Sequence, residues 1–319
     1  MRITRADDGP MTTTANIIET RGLDKRFGGR AAVIDLNLTV PRGSAFGFLG
    51  HNGAGKTTLI RMLLGLTRAD AGEMRISGRP VPAERAAVLA RVGAIVEEPN
   101  FHRHLTGREN LRVMAAARGP EAAGRIDGSL RRVGLTDRAD DRVKTYSQGM
   151  RQRLGVARCL LADPELLILD EPMNGLDPGG ILEFRTMIAD LTGEGRTVFL
   201  SSHLLDEIEK TCDYAAVIDR GRMVAQGPIS ELVADDRVEF DIDCDDAHAA
   251  LDLLDGHPAV TAAHETPGGL RVTVTAAEVA AAINSRLVAA GLLVFRLEPV
   301  RESLEQRFLE MTSRVGGQS

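Results

Sequence analysis

The segment Gly50-His51-Asn52-Gly53-Ala54-Gly55-Lys56-Thr57 constrains this chain more than any other. An apolar run, Ala45-Phe46-Gly47-Phe48-Leu49, precedes it, and helical spacing of Leu59, Ile60, Met62, Leu63 and Leu66 follows it. Strand, glycine-rich turn and helix is the context in which G-x-x-x-x-G-K-[ST] acts as a phosphate loop. Glycines let the backbone curl until successive N–H groups point inward as an anion nest, and the helix that follows adds the positive end of its dipole. Lys56 is then the charge for β- and γ-phosphates, and the Thr57 hydroxyl suits Mg²⁺. The candidate nucleotide-binding set from this loop is Gly50, Asn52, Gly53, Ala54, Gly55, Lys56, Thr57 and Thr58.

The rest of the chain is compatible with a cytoplasmic globular protein. At 319 residues, 43% hydrophobic and 26% charged, it has room for a main domain and a smaller appendage. The longest apolar stretch, Ala276 to Phe295, is interrupted by Glu278, Asn284 and Arg286, which argues against a bilayer span. Residues 1–15 read as a flexible tail, with Met11 an alternative start and no apolar run of a secretory signal. A net charge of -6 and a pI near 5.7 argue against a general affinity for nucleic acid or anionic lipid. Cys159, Cys212 and Cys244 are far apart and offer neither zinc-site nor disulfide spacing, as expected of structural thiols in a reducing compartment.

Element patterning predicts two parts. Ile17 to Val40 reads as strand, turn at Gly28-Gly29 and strand. Residues 105 to 162 read as mostly helical, with Thr106 and Glu109 spaced as a capping box and with breaks at Gly119-Pro120 and Gly134. Apolar strands at Leu166 to Leu169 and Thr197 to Leu200, separated by a helical stretch from Gly180 to Leu191, imply parallel strands in an α/β sheet. Beyond Gly227-Pro228 the order becomes strand (Val238 to Ile242), helix (Ala247 to Leu254), two strands (Val260 to His264, Leu270 to Val274), helix (Ala277 to Ala290) and strand (Leu292 to Leu297). That order suggests a small split βαβ domain, closed by a helix from Ser303 to Met311. The expected division is residues 16–235, with a helical subdomain at about 100–162, and an α+β accessory domain at 236–319.

Leu166-Leu167-Ile168-Leu169-Asp170-Glu171-Pro172 is an apolar strand ending in adjacent acids. In isolation such acids often just cap a strand. Downstream of a phosphate loop they divide the chemistry: Asp170 toward Mg²⁺ and Glu171 toward the water that attacks the γ-phosphate. Shortly before them lies Tyr146-Ser147-Gln148-Gly149-Met150, and here the chain resembles the ABC ATPases, whose signature Leu-Ser-Gly-Gly-Gln precedes this strand at the same interval. Ser147 and Gly149 match that signature, while Tyr146, Gln148 and Met150 depart from it. Asn174-Gly175-Leu176-Asp177-Pro178 is similar to the D-loop, Ser201-Ser202-His203 to the loop with the switch histidine, and Leu23 to Gly28 to the segment whose aromatic, here Phe27, stacks on adenine. Each alone has a plainer reading as a core aromatic, a turn acid or a helix cap.

The resemblance covers roughly residues 17 to 230 and implies an ABC-type P-loop ATPase that binds ATP and Mg²⁺. It implies Lys56, Glu171 and His203 as catalytic residues, Thr57 and Asp170 on the metal, and Ser147, Gln148, Gly149 and Asp177 acting across a head-to-tail dimer. The second ATPase subunit would be an identical or related chain. Glu97 stands where the family usually has Gln; a carboxylate there could still bind the metal. Glu97-Glu98-Pro99 with Leu105 to Leu111 resembles the subgroup exporting bacitracin, lantibiotics and anthracycline-type drugs, which implies permease partners at the cytoplasmic face of a membrane. The alternative is a non-transport ABC ATPase working on DNA or ribosomes. No guanine-reading Asn/Thr-Lys-x-Asp tetrapeptide occurs to suggest a GTPase.

Overall fold

A computed structural model describes residues 16–233, 238–276 and 278–300, together with Leu304 and Arg307. The chain divides into two compact units, one reaching Leu232 and one spanning Val233–Arg307. Most of the helix expected from Ser303 to Met311 lies outside the described residues.

In the first unit, strand Ala45–Leu49 is buried at every position and sits between Thr197–Ser202 and Tyr214–Asp219, parallel to both. Leu166–Leu169 pairs parallel with Thr197–Ser202, and Val92–Ile95 pairs parallel with Leu166–Leu169. Arg222–Pro228 closes the other edge antiparallel to Tyr214–Asp219, giving a six-stranded sheet. Ala45–Leu49, Leu166–Leu169 and Thr197–Ser202 are buried at every position rather than alternating, as expected where helices cover both faces, whereas the edge strand Arg222–Pro228 is exposed or half-buried along its length. Phe199 is fully buried, with its ring centroid 5.8 Å from Phe46 and 5.7 Å from Phe48. Each such ring contributes about 1.5–3 kcal/mol through burial. The consequence for function is topological: because the strands run parallel, Leu49, Leu169 and Ser202 all end at the same edge, where a doubly wound sheet binds its ligands.

A second, antiparallel sheet orders Arg30–Pro41, Asn16–Phe27, Ala71–Ile76 and Arg79–Val81. The last two strands are not among those the sequence pattern predicts. Ala71, Gly72 and Glu73 are exposed, and Arg79–Val81 is only 3 residues long, so neither carries an apolar alternation long enough to recognise. The region expected to be helical contains Gly107–Ala116, Pro120–Gly124, Ile126–Arg132 and Gln148–Leu160. Its capping box is formed: the Glu109 amide donates to Thr106 Oγ1 at 3.1 Å and the Thr106 amide to Glu109 Oε2 at 2.8 Å. Helix Pro178–Gly193 connects Leu166–Leu169 to Thr197–Ser202.

The second unit is a four-stranded antiparallel sheet in the order Val260–Thr266, Gly269–Val274, Val238–Cys244, Val294–Val300. Helices Ala247–Leu254 and Val279–Ala289 pack on it around Phe240, Ile242, Leu254, Leu270, Val272, Ile283 and Leu287. With the two outer strands each reached through a helix or hairpin, this is the split βαβ arrangement.

All three cysteines are buried and free, and burial pushes the Cys159 thiol up to about 11. Among the described residues, no helix is long and apolar enough to cross a membrane.

Candidate functional site

Helix Lys56–Leu63 starts directly after Gly55, whose φ of 115° turns the chain out of the sheet. The loop tip, residues 51–53, is exposed, whereas Ala54, Gly55 and Lys56 are buried and Thr57 and Thr58 half-buried. The Ala54 amide donates to His51 O at 3.0 Å, closing the curl. Lys56, only 5% exposed, donates from Nζ to Gly50 O at 2.6 Å and His51 O at 3.3 Å, and sits 3.0 Å from Glu171 Oε1. A buried ammonium needs such partners.

Asp170 and Glu171 follow strand Leu166–Leu169, which Thr197–Ser202 separates from Ala45–Leu49, and leave it in different directions because Glu171 has a left-handed backbone, φ 47°. For a non-glycine residue that conformation costs about 1–2 kcal/mol, and it is found where surrounding contacts over-determine it. Asp170, 5% exposed, accepts at both oxygens: from Thr57 Oγ1 at 2.8 Å and from Ser201 Oγ at 2.5 Å. The same Ser201 oxygen accepts from the Glu171 amide at 2.9 Å. Ser201 therefore fixes one carboxylate by its proton and the next residue's backbone by its lone pair. The Glu171 side chain is likewise held at both ends, with Lys56 on Oε1 and His203 Nδ1 at 2.9 Å from Oε2.

The structure thus brings together Lys56, Thr57, Asp170, Glu171 and His203. Ser201 joins them although sequence reasoning assigned it no role. Its signal was a strand, Thr197–Ser202, buried at every position yet ending in two hydroxyl residues. Glu97 is not brought into this cluster. It is 67% exposed at its side chain, has φ 65°, and its carboxylate pairs with the Arg61 guanidinium one helical turn beyond Thr57. Arg61 is a second residue that motif reading missed. Phe27, 52% exposed at the end of Asn16–Phe27, carries the Lys25 ammonium 5.1 Å from its ring centroid. Lys25 also pairs with Asp70 at 2.8 Å, and that hydrogen bond holds the Asp70 carboxyl below its usual range.

The remaining candidates begin helices. Ser147 Oγ accepts from the Met150 amide at 3.2 Å at the start of Gln148–Leu160, and Asp177 Oδ1 accepts from the Gly180 amide at 3.2 Å at the start of Pro178–Gly193. Tyr146 is buried, its hydroxyl donating to Arg138 O at 2.6 Å, and burial raises its pKa. No hydrogen bond among the described residues links Ser147, Gln148, Gly149 or Asp177 to Lys56, Thr57 or Asp170.

Comparison with known proteins decides the family. The family profile described as ABC transporter matches residues 33–174. The chain is 38% identical over 304 residues to the bacitracin transport ATP-binding protein BcrA of Bacillus licheniformis, covering 95% of this chain and 98% of that protein. This chain belongs to the ATP-binding proteins of ABC transporters. Such subunits hydrolyse ATP to power transport and work with membrane permease subunits. A second relative, the uncharacterized ABC transporter ATP-binding protein YhcH of Bacillus subtilis (strain 168), is 40% identical over 300 residues, 94% of this chain and 97% of that one. Among solved structures, cbiO1 from Clostridium perfringens, part of the ABC transporter complex cbiONQ, superposes with a TM-score of 0.64 at 27% identity, covering 68% of this chain and 90% of that chain.

Proposed function

We propose that this ATPase subunit powers export of an antibiotic, drug or peptide through separate permease subunits, acting as a peripheral protein at the cytoplasmic face of the membrane. The likeness to a bacitracin transport protein along nearly the whole chain supports the export reading. The observation that carries the chemistry is the Glu171 carboxylate, held between Lys56 and His203 beside the Thr57–Asp170 pair.

Lys56 and the amides of Gly53 to Thr57 bind the phosphates, and Phe27 offers its open ring face to the base. Thr57 and Asp170 are hard oxygen donors and fit Mg²⁺, which would be held there and would offset the charge of the phosphate oxygens. Glu171 takes the proton of the attacking water at its carboxylate, and His203 orients that carboxylate and the γ-phosphate. Ser147, Gly149 and Asp177 serve the nucleotide of a second ATPase subunit in a two-fold dimer, so that ATP closes the pair and hydrolysis reopens it. Glu97, on Arg61 here, would have to leave that partner to reach the metal.

The test is co-purification. A tagged chain expressed from its own genomic neighbourhood is expected to come out of solubilised membranes with a polytopic membrane protein. Recovery with ribosomes or DNA in place of a membrane protein would contradict the proposal.

A further inference from the structure

We infer that Gln148 is a positioning residue acting within its own chain: it braces the loop after Glu171 and so sets the aim of that carboxylate. The inference rests on the roles proposed above and adds a residue to them. At this place the family's signature has glycine, so the side chain is a departure of this sequence. Its amide Nε2 donates to Asn174 O at 2.8 Å.

The receiving loop is shaped to fit. Gly175 has φ 69°, and a Cβ there would lie 2.6 Å from Gln148 Nε2 and 2.7 Å from Oε1, so a side chain at this position would push the amide out of its present place. The braced segment leads directly to the proposed general base: the Asn174 amide donates to Glu171 O at 3.2 Å, and the Leu176 amide to Met173 O at 3.2 Å. The Gln148 bond therefore anchors a turn whose first residue is Glu171, a residue already held at φ 47°. A strained backbone keeps its angle only while its surroundings hold it, and a small misplacement of a reacting group is costly in rate.

A side chain committed to its own loop is also withdrawn from the role across the dimer interface that the signature resemblance implies for Gln148. The two roles separate in kinetics. A brace affects turnover; a nucleotide contact affects binding.

The test compares Gln148→Ala with Gln148→Glu, which keeps the size but places an acceptor against the Asn174 carbonyl. Steady-state ATPase and amide hydrogen exchange of the peptide covering residues 172–177 are measured on both, with Glu171→Gln as a control. Loss of one such hydrogen bond corresponds to roughly a tenfold change. Both variants are expected to lower kcat by about tenfold, keep KM for ATP within about twofold, and speed exchange in that peptide. Unchanged kcat, unchanged exchange, or a large rise in KM at constant kcat would overturn the brace. Hydrolysis that survives in Glu171→Gln would instead overturn the site assignment itself, so the two failures are distinguishable.

Discussion

Glu171→Gln is expected to lower kcat by about 10³-fold, within the range general bases supply, while ATP affinity stays within about threefold of wild type. The geometry separates the two quantities. An amide has the shape of the carboxylate and keeps the contact to His203, 2.9 Å away, but it cannot accept a proton from water. The loop amides are untouched, and Lys56 loses only the charge of its partner 3.0 Å away while keeping its hydrogen bonds to Gly50 O and His51 O. With hydrolysis blocked and binding kept, the proposed two-fold dimer should accumulate in ATP, visible as a doubled mass in size-exclusion chromatography. Steady-state phosphate release and equilibrium nucleotide titration are the measurements. Undiminished release would remove Glu171 from the reaction.

Gly55→Ala should reduce ATP affinity by about 100-fold, and Gly53→Ala by much less. Both glycines have positive φ, 115° and 82°, so both substitutions bear a conformational cost of about 1 kcal/mol or more. They differ in what a methyl group would meet. At Gly55 it would lie 2.4 Å from Ala32 O, a backbone atom of the Arg30–Pro41 strand that cannot turn aside. At Gly53 nothing lies within 4 Å. Relief of the Gly55 clash has to move the loop, and with it the N–H groups that form the anion nest. The two proteins should be compared by isothermal titration with ATP and Mg²⁺. Equal losses at both positions would show that backbone conformation, and not the contact with Ala32, sets the loop.

Much of this was legible in the sequence because the informative features are local. The phosphate loop declares itself through the spacing of its glycines, and the strands expected at Ala45 to Leu49, Leu166 to Leu169 and Thr197 to Leu200 declare themselves by their short apolar runs. The order of elements in the second unit also follows from local pattern, and helix Ala247–Leu254 lies where it was expected; the second helix starts two residues later and ends one earlier, and the last strand is displaced by two or three residues, as expected where ends fray. What escaped depends on pairing between distant segments. Ser201 looks like any hydroxyl at a strand end until the parallel register places it beside Asp170. Arg61 looks like a surface residue of a helix until the chain returns with Glu97. Ala71–Ile76 is recognisable only as the partner of Asn16–Phe27.

In the proposed function, Lys56 binds phosphate from within the curl of residues 50–57. Its ammonium is 5% exposed and ends among Gly50 O, His51 O and Glu171, so its charge is directed into the loop and away from solvent. The decisive measurement is equilibrium titration of the purified chain with ATP and Mg²⁺, wild type against Lys56→Ala. Saturable binding by the wild type is expected, with a loss of at least about 100-fold, about 2.7 kcal/mol, in the variant. Equal affinity in the two proteins, or no binding by the wild type, would contradict that role.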